Sequence, residues 1–208
     1  MGKIHKSEQE EFWAGDFGSE YIDRNNSEEL LASNMLFFSR IFSSSLAYPK
    51  RCLELGANIG MNIRALKQLL PRSSFTGVEI NSDACKILEQ SGCEVINTSI
   101  LELSLSSSFD LVFTKGVLIH QNPNDLPRIY QKMYSLSSRW ILIAEYYNPI
   151  PVALEYRGHS NKLFKRDFAG EFLEMFSDVK LKNYGFVYKG DDYGLNDDIS
   201  WFLLEKKN

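Results

Sequence analysis

Three groups of side chains in this 208-residue sequence are of types that do chemistry. The first begins at Glu54, two residues before a G-x-x-x-G turn in which Gly56 and Gly60 enclose Ala57, Asn58 and Ile59. Glycines at such a turn let backbone approach a ligand closely, and a following helix offers free N–H groups there. A dinucleotide fingerprint would instead read G-x-G-x-x-G, with pyrophosphate on the helix N-terminus. A carboxylate as near as Glu54 would repel a pyrophosphate and would suit a cationic ligand. Glu79 comes 23 residues after Gly56, a spacing that suits a carboxylate accepting hydrogen bonds from both ribose hydroxyls of an adenosine. The second group is His120, whose imidazole can take up a proton near neutral pH, with Glu145, Tyr146 and Tyr147 further on. The third is basic: Arg157, His159, Lys165 and Arg166 could together hold a carboxylate or phosphate.

The elements that must position these groups follow from apolar spacing. Arg51–Leu55 is a short, mostly apolar run and reads as the first strand. Met61–Leu70 spaces Ile63, Leu66, Leu69 and Leu70 at helical intervals. Phe75–Ile80 predicts strand two, Ser82–Ser91 a helix, Cys93–Thr98 strand three and Phe109–Lys115 strand four. A helix from Pro123 and Asp125 to about Ser137 precedes strand five, Trp140–Glu145, an apolar run suited to burial on both faces. Repeated βα units imply a parallel sheet with helices on both faces and ligands at the carboxyl ends of the strands. Tyr146–Lys162 then reads as an unusually long connecting loop, of a length that is usually functional or disordered when it occurs in a compact domain. Lys165-Arg166 opens a helix read as Asp167–Phe176. Val179–Tyr188 and Ile199–Lys206 close the chain as a hairpin, so the last strand is expected to enter antiparallel.

The amino-terminal residues 1–26 are polar but carry Phe12, Trp13, Phe17 and Tyr21, with Gly15 and Gly18 interrupting a short helix. Trp13, Phe17 and Tyr21 are candidates for a lid over a bound ligand. Ser27 caps a helix expected to reach about Ala47, with Leu30, Leu31, Met35, Phe38 and Phe42 on one face. The division expected is residues 1–48 as lid and helix and residues 49–208 as the ligand-binding domain.

Bulk properties narrow the classes. The net charge of −4 argues against a dedicated nucleic-acid binder. Cys52, Cys85 and Cys93 show no C-x-x-C spacing. Asp191, Asp192, Asp197 and Asp198 read as a turn, so no metal site is expected. No apolar run approaches the roughly 20 residues of a membrane span. These features lead to the expectation of a soluble, cytoplasmic monomer or homodimer without a nucleic-acid or membrane partner.

The segment LELGANIG resembles motif I of the class I S-adenosylmethionine methyltransferases, with Asn58 where the usual form has a glycine. Asn enters the left-handed region more readily than most residues, so the exchange is tolerable. FWAGDFGSEYIDRN, FDLVFTKGVLIH, YYNPIPVALEYRGH, LFKRDFAGEF and DDISWFLLEK extend the likeness, and together they resemble the methylases associated with pseudaminic acid biosynthesis. That resemblance implies a Rossmann-like three-layer α/β sandwich: a mostly parallel seven-stranded sheet, an antiparallel last strand and an N-terminal helical lid. It implies S-adenosylmethionine as cofactor, bound by Trp13, Tyr21, Glu54, Gly56, Asn58, Gly60, Glu79, Ile80, Ser99, Ile100, Lys115 and Leu118. Ser99 and Ile100 fall in the adenine slot, and Lys115 to His120 face the methyl donor. His120, Tyr146 and Tyr147 become the catalytic candidates. Glu145, Arg157, His159, Lys165 and Arg166 become those for an anionic small-molecule acceptor, a nonulosonic-acid-type sugar or its nucleotide-activated form. The alternatives are another anionic metabolite (phosphonate, phosphate or carboxylate) or a protein side chain. A protein or nucleic-acid methyltransferase would be expected to carry a larger recognition domain, a basic face or an N/D-P-P-Y/F signature.

Overall fold

The structure is a computed structural model and describes residues 7–43, 48–191 and 197–207. The expected end of the Ser27 helix near Ala47, Asp192 of the acidic turn and residues 1–6 of the arm lie outside the described residues.

Seven strands form one sheet in the order β3-β2-β1-β4-β5-β9-β8. They are β1 (Arg51–Leu55), β2 (Ser74–Glu79), β3 (Glu94–Asn97), β4 (Phe109–Lys115), β5 (Ser137–Glu145), β8 (Val179–Val187) and β9 (Ile199–Lys206). β1 to β5 run parallel, and β9 inserts antiparallel between β5 and β8. The middles of β1, β4 and β5 are mostly apolar because both faces are covered there. Leu53, Leu55, Val112, Ile141 and Ile143 pack on one side against Ile129, Tyr130 and Met133 of α6 (Leu126–Leu136) and Phe172 of α7 (Phe168–Met175). Cys52, Phe113, Leu142 and Ala144 pack on the other against Phe37, Phe38 and Ile41 of α3 (Glu28–Phe42) and Ile63 and Leu66 of α4 (Met61–Leu69). This is the Rossmann-like methyltransferase fold. The chain leaves β1 toward β2 and β3, then returns to lay β4 on the other side of β1. That reversal opens a crevice beyond the carboxyl ends of β1 and β4.

α1 (Glu8–Ala14) starts with a reciprocal capping box between Ser7 and Glu10. Gly15 ends it and begins α2 (Asp16–Asp23). Gly18 does not interrupt a helix as expected. It lies inside α2, where an added Cβ would fall 1.9 Å from the Trp13 carbonyl oxygen. On α3 the fully buried stripe is Asn34, Phe37, Phe38 and Ile41, while Leu31, Met35 and Phe42 are only partly covered.

The largest departure from expectation is the segment after β5. Residues 146–162 are not one long loop: after an irregular stretch at 146–151, β6 (Val152–Tyr156) and β7 (His159–Lys165) pair as an antiparallel hairpin separate from the main sheet. Arg157 and Gly158 turn it with φ of 51° and 83°, the two positive values that a tight I′-type turn requires. Lys165 ends β7 rather than opening a helix, and Asp167 caps α7. Among the described residues, no helix is long and apolar enough to cross a membrane.

Candidate active site

The glycine turn forms one wall of the crevice. The N–H groups of Gly56 and Ala57 both donate to the Val78 carbonyl, at 2.8 and 2.9 Å, which folds the turn back over β2. Gly56 (φ 74°) must be glycine twice over, because a Cβ there would also meet the Val117 side chain at 2.7 Å. Asn58 takes φ 46°, the conformation expected for a residue in a glycine's place. Gly60 (φ 85°) starts α4 against Leu88 and points away from the crevice. Glu54 lies buried behind the turn, where its Oε1 accepts from Asn62 Nδ2 at 2.7 Å. Burial pushes its carboxyl well up, and the Asn62 bond and the Lys115 charge pull it back.

Glu79 ends β2 at the crevice and is itself tied down. Its Oε2 accepts from Asn58 N–H (2.7 Å) and its Oε1 from Asn81 N–H (2.8 Å). Burial raises this carboxyl while those N–H groups lower it. Each oxygen keeps a second lone-pair site for a ligand hydroxyl. Ile80, Thr98, Ser99 and Ile100 continue the wall beyond Glu79.

The tip of β4 forms the opposite wall. Lys115 lines the crevice with its ammonium 5.3 Å from the Phe37 ring centre; burial lowers it, and Glu54 with Asp197 and Glu145 holds it up. The following residues 118–120 make a 3-10 turn, and the N–H groups of Val117, Leu118 and Ile119 point to Glu145. Glu145 was expected to meet the acceptor. Instead it collects those donors, from Val117 (3.1 and 3.0 Å), Leu118 (3.1 Å) and Ile119 (3.4 Å). His120 is set by this turn. Its Nδ1 lies 2.6 Å from the Lys162 carbonyl, and burial lowers its pKa to about 4. A carbonyl only accepts, so Nδ1 carries the proton and Nε2 keeps a lone pair.

α1 and α2 lie across the opening. Trp13, Gly18 and Tyr21 line it, together with Gln9 and Glu10. Asn81 Nδ2 donates to the Trp13 carbonyl (3.3 Å), and Glu10 Oε1 accepts from the Ser99 hydroxyl. Trp13 packs edge-on to Tyr21 (5.3 Å) and against His120 (4.7 Å). The cavity beneath them is about 200 Å³ and stays partly open.

Ten of the expected residues therefore line one cavity: Trp13, Tyr21, Gly56, Asn58, Glu79, Ile80, Ser99, Ile100, Lys115 and His120. Leu118 is buried in the core, and Glu54, Gly60 and Glu145 act from behind the walls. The acceptor candidates lie elsewhere. Tyr146 bonds Asp197 and lies under Lys165, and Tyr147 packs on Phe202 at 6.1 Å. Arg157 sits at the exposed hairpin turn, His159 packs edge-on to Phe12 (4.9 Å), and Arg166 pairs with Glu171 (2.5 Å). Sequence reasoning missed Asn34, Asn62 and Asn81 at the cavity and Lys162 beneath His120. Only Asn81 carried a signal, as the N-cap of α5 (Ser82–Leu88). Among the described residues, no group of three or more His, Cys, Asp or Glu side chains could hold a metal ion.

Residues 52–138 match the family described as a methyltransferase domain. No curated protein matches the chain. Three similar structures span nearly all of it at low identity, a likeness of fold. The 1,6-didemethyltoxoflavin-N1-methyltransferase of Burkholderia thailandensis, with bound 1,6-didemethyltoxoflavin and S-adenosylhomocysteine, has a TM-score of 0.70 at 14% identity, covering 100% of this chain and 94% of that one. The magnesium protoporphyrin IX methyltransferase of Synechocystis PCC 6803, with bound S-adenosylmethionine, gives 0.68 at 10%, covering 99% and 100%. Coclaurine N-methyltransferase, bound to N-methylheliamine and S-adenosylhomocysteine, gives 0.68 at 12%, covering 89% and 80%. Fold and matched segment agree: the chain has the Rossmann-like methyltransferase fold, and residues 52–138 within it match a methyltransferase domain.

Proposed function

We propose that this methyltransferase moves the methyl group of S-adenosylmethionine to an O or N atom of a small molecule enclosed between the lid and the tip of β4. The observation that carries this reading is one cavity bounded by Gly56, Glu79 and His120. The cavity's own chemistry fits the donor. Asn34 Oδ1, Asn58 Oδ1 and Asn62 Oδ1 are buried acceptors without a protein partner, on residues that line it. Acceptors left unpaired in a buried site favour a ligand that brings N–H or O–H donors. Glu79 would hold the ribose, Ile80, Ser99 and Ile100 the adenine, and the Gly56–Asn58 turn the amino-acid end. The bound donor supplies an electrophilic methyl group on a sulfonium. The chain's part is to hold the acceptor in line with it and exclude water. His120 Nε2 takes the acceptor's proton, residues 1–48 contribute the lid, and residues 49–208 bind the donor.

For the acceptor, the reading is an anionic small molecule, a nonulosonic-acid-type sugar or its nucleotide-activated form. Its supports are the sequence resemblance and Lys115, a cation in the cavity wall. Calorimetry should give micromolar binding of S-adenosylhomocysteine and none of NAD. Labelled donor offered with nonulosonic acids, their nucleotide-activated forms and neutral amines then tests the acceptor. Transfer only to the neutral amines would overturn the anionic reading and leave the donor reading standing.

A further inference from the structure

Lys162 is 3% exposed although it carries an ammonium group. It belongs to β7, whose strand partner is β6, and a two-stranded hairpin alone is marginally stable in water. Leu163 anchors this one in the main core, and contacts with α1 hold the part around Lys162. Glu8 Oε1 accepts from Lys162 Nζ, and the ammonium lies 5.2 Å from the Phe12 ring centre. Gln9 Nε2 donates to the neighbouring Asn161 carbonyl at 3.0 Å. The backbone of the same lysine serves the active site, because its carbonyl takes the Nδ1 proton of His120. The His120 ring packs against both Trp13 of α1 (4.7 Å) and Tyr156 of β6 (4.8 Å), which themselves lie 6.4 Å apart.

We propose that Lys162 is a positioning residue that couples the seating of the lid to the tautomer of His120. Its side chain seats the hairpin through Glu8, and the seated hairpin presents the carbonyl that keeps the His120 proton on Nδ1. The inference rests on the reading of His120 as proton acceptor. Without Glu8 the buried ammonium loses its counter-charge and the middle of β7 moves toward water, taking the carbonyl with it. Nε2 is then free to carry the proton and ceases to be a base. A base that exists only under a seated lid confines proton uptake to the closed, water-excluded state.

The test uses the full chain with S-adenosylhomocysteine bound. Long-range 1H–15N spectra of wild type should give His120 as the Nδ1–H tautomer. Glu8→Gln and Lys162→Met should each give a mixture, with the His120 titration midpoint raised toward the ordinary range and kcat down about tenfold at little change in donor KM. The exchanged pair Glu8→Lys with Lys162→Glu should restore the single tautomer. Should Lys162→Met not fold, Glu8→Gln still reports, since the Glu8 side chain is mostly in solvent. An unchanged tautomer and midpoint in Glu8→Gln would overturn the coupling whatever His120→Ala does. Full kcat in His120→Ala would overturn the base reading and leave the tautomer coupling measurable.

Discussion

Val117 N–H donates to both carboxylate oxygens of Glu145, at 3.1 and 3.0 Å, and its side chain closes over Gly56 from the far wall. A residue at the end of β5 thereby fixes the distance between the β4 tip and the glycine turn. Glu145→Gln keeps the shape but turns an NH2 group toward N–H donors. It should cost about 1–3 kcal/mol of stability for the buried groups left unpaired. It should also weaken S-adenosylhomocysteine binding, since Val117 moves. Thermal melts and calorimetry check both. An unchanged melt would mean that the carboxylate is not holding the turn.

The lid can be tested at Gly18, where any Cβ would collide with the Trp13 carbonyl oxygen and approach Asn81 Nδ2 at 2.9 Å. Gly18→Ala must push α1 away from α2 and from the Asn81 cap. The sheet core lies elsewhere, so far-UV circular dichroism should stay near wild type. Binding of S-adenosylhomocysteine should weaken by about tenfold, or roughly 1.4 kcal/mol. Wild-type affinity in this variant would show that the two helices do not cover the donor.

Much of the fold was legible because burial on both faces leaves continuous apolar strands such as FDLVF and WILIA, and because Gly56 and Gly60 mark a backbone that other residues cannot adopt. The cavity wall around the glycine turn and Glu79 was legible for the same local reason. The segment after β5 was not. Arg157-Gly158 in a polar segment can be a loop or a hairpin turn, and only the pairing of Ala153 with Phe164 and Leu154 with Leu163 decides it. Glu145 looked like a rim carboxylate because its three N–H partners lie on a different strand's loop. Lys162 gave no signal, since its burial depends on Glu8, 154 residues away.

The acid limb of activity should report the burial of His120. Its folded value of about 4 lies below the ordinary 6.5, so between these values the unfolded chain binds the extra proton and stability falls as pH drops. The loss from pH 7 to pH 5 should be about 2 kcal/mol at most relative to His120→Gln. Urea melts at the two pH values measure it. Under saturating donor, the His120-dependent fall in kcat should centre near pH 4. A limb centred near 6.5 would mean that the ring is hydrated in the reacting enzyme.

Arg157 separates a role in acceptor binding from a role in the turn. It is exposed, its φ is 51°, and its guanidinium lies 5.7 Å from the Tyr156 ring centre rather than in the cavity. A β-hairpin of two turn residues favours Asn-Gly above other pairs, because Asn tolerates positive φ with little strain. Arg157→Asn creates that pair without touching the cavity wall. It should slow amide exchange in β6 and β7 by a few-fold, about 0.5–1 kcal/mol of relieved strain. The acceptor KM should remain at the wild-type value. If Arg157 instead holds the acceptor's charge, the same substitution raises KM by tenfold or more, about 1.5–3 kcal/mol for a lost charge-assisted bond. A raised KM with unchanged hairpin exchange would return Arg157 to the acceptor site, and the hairpin would then have to close further over the cavity when substrate binds.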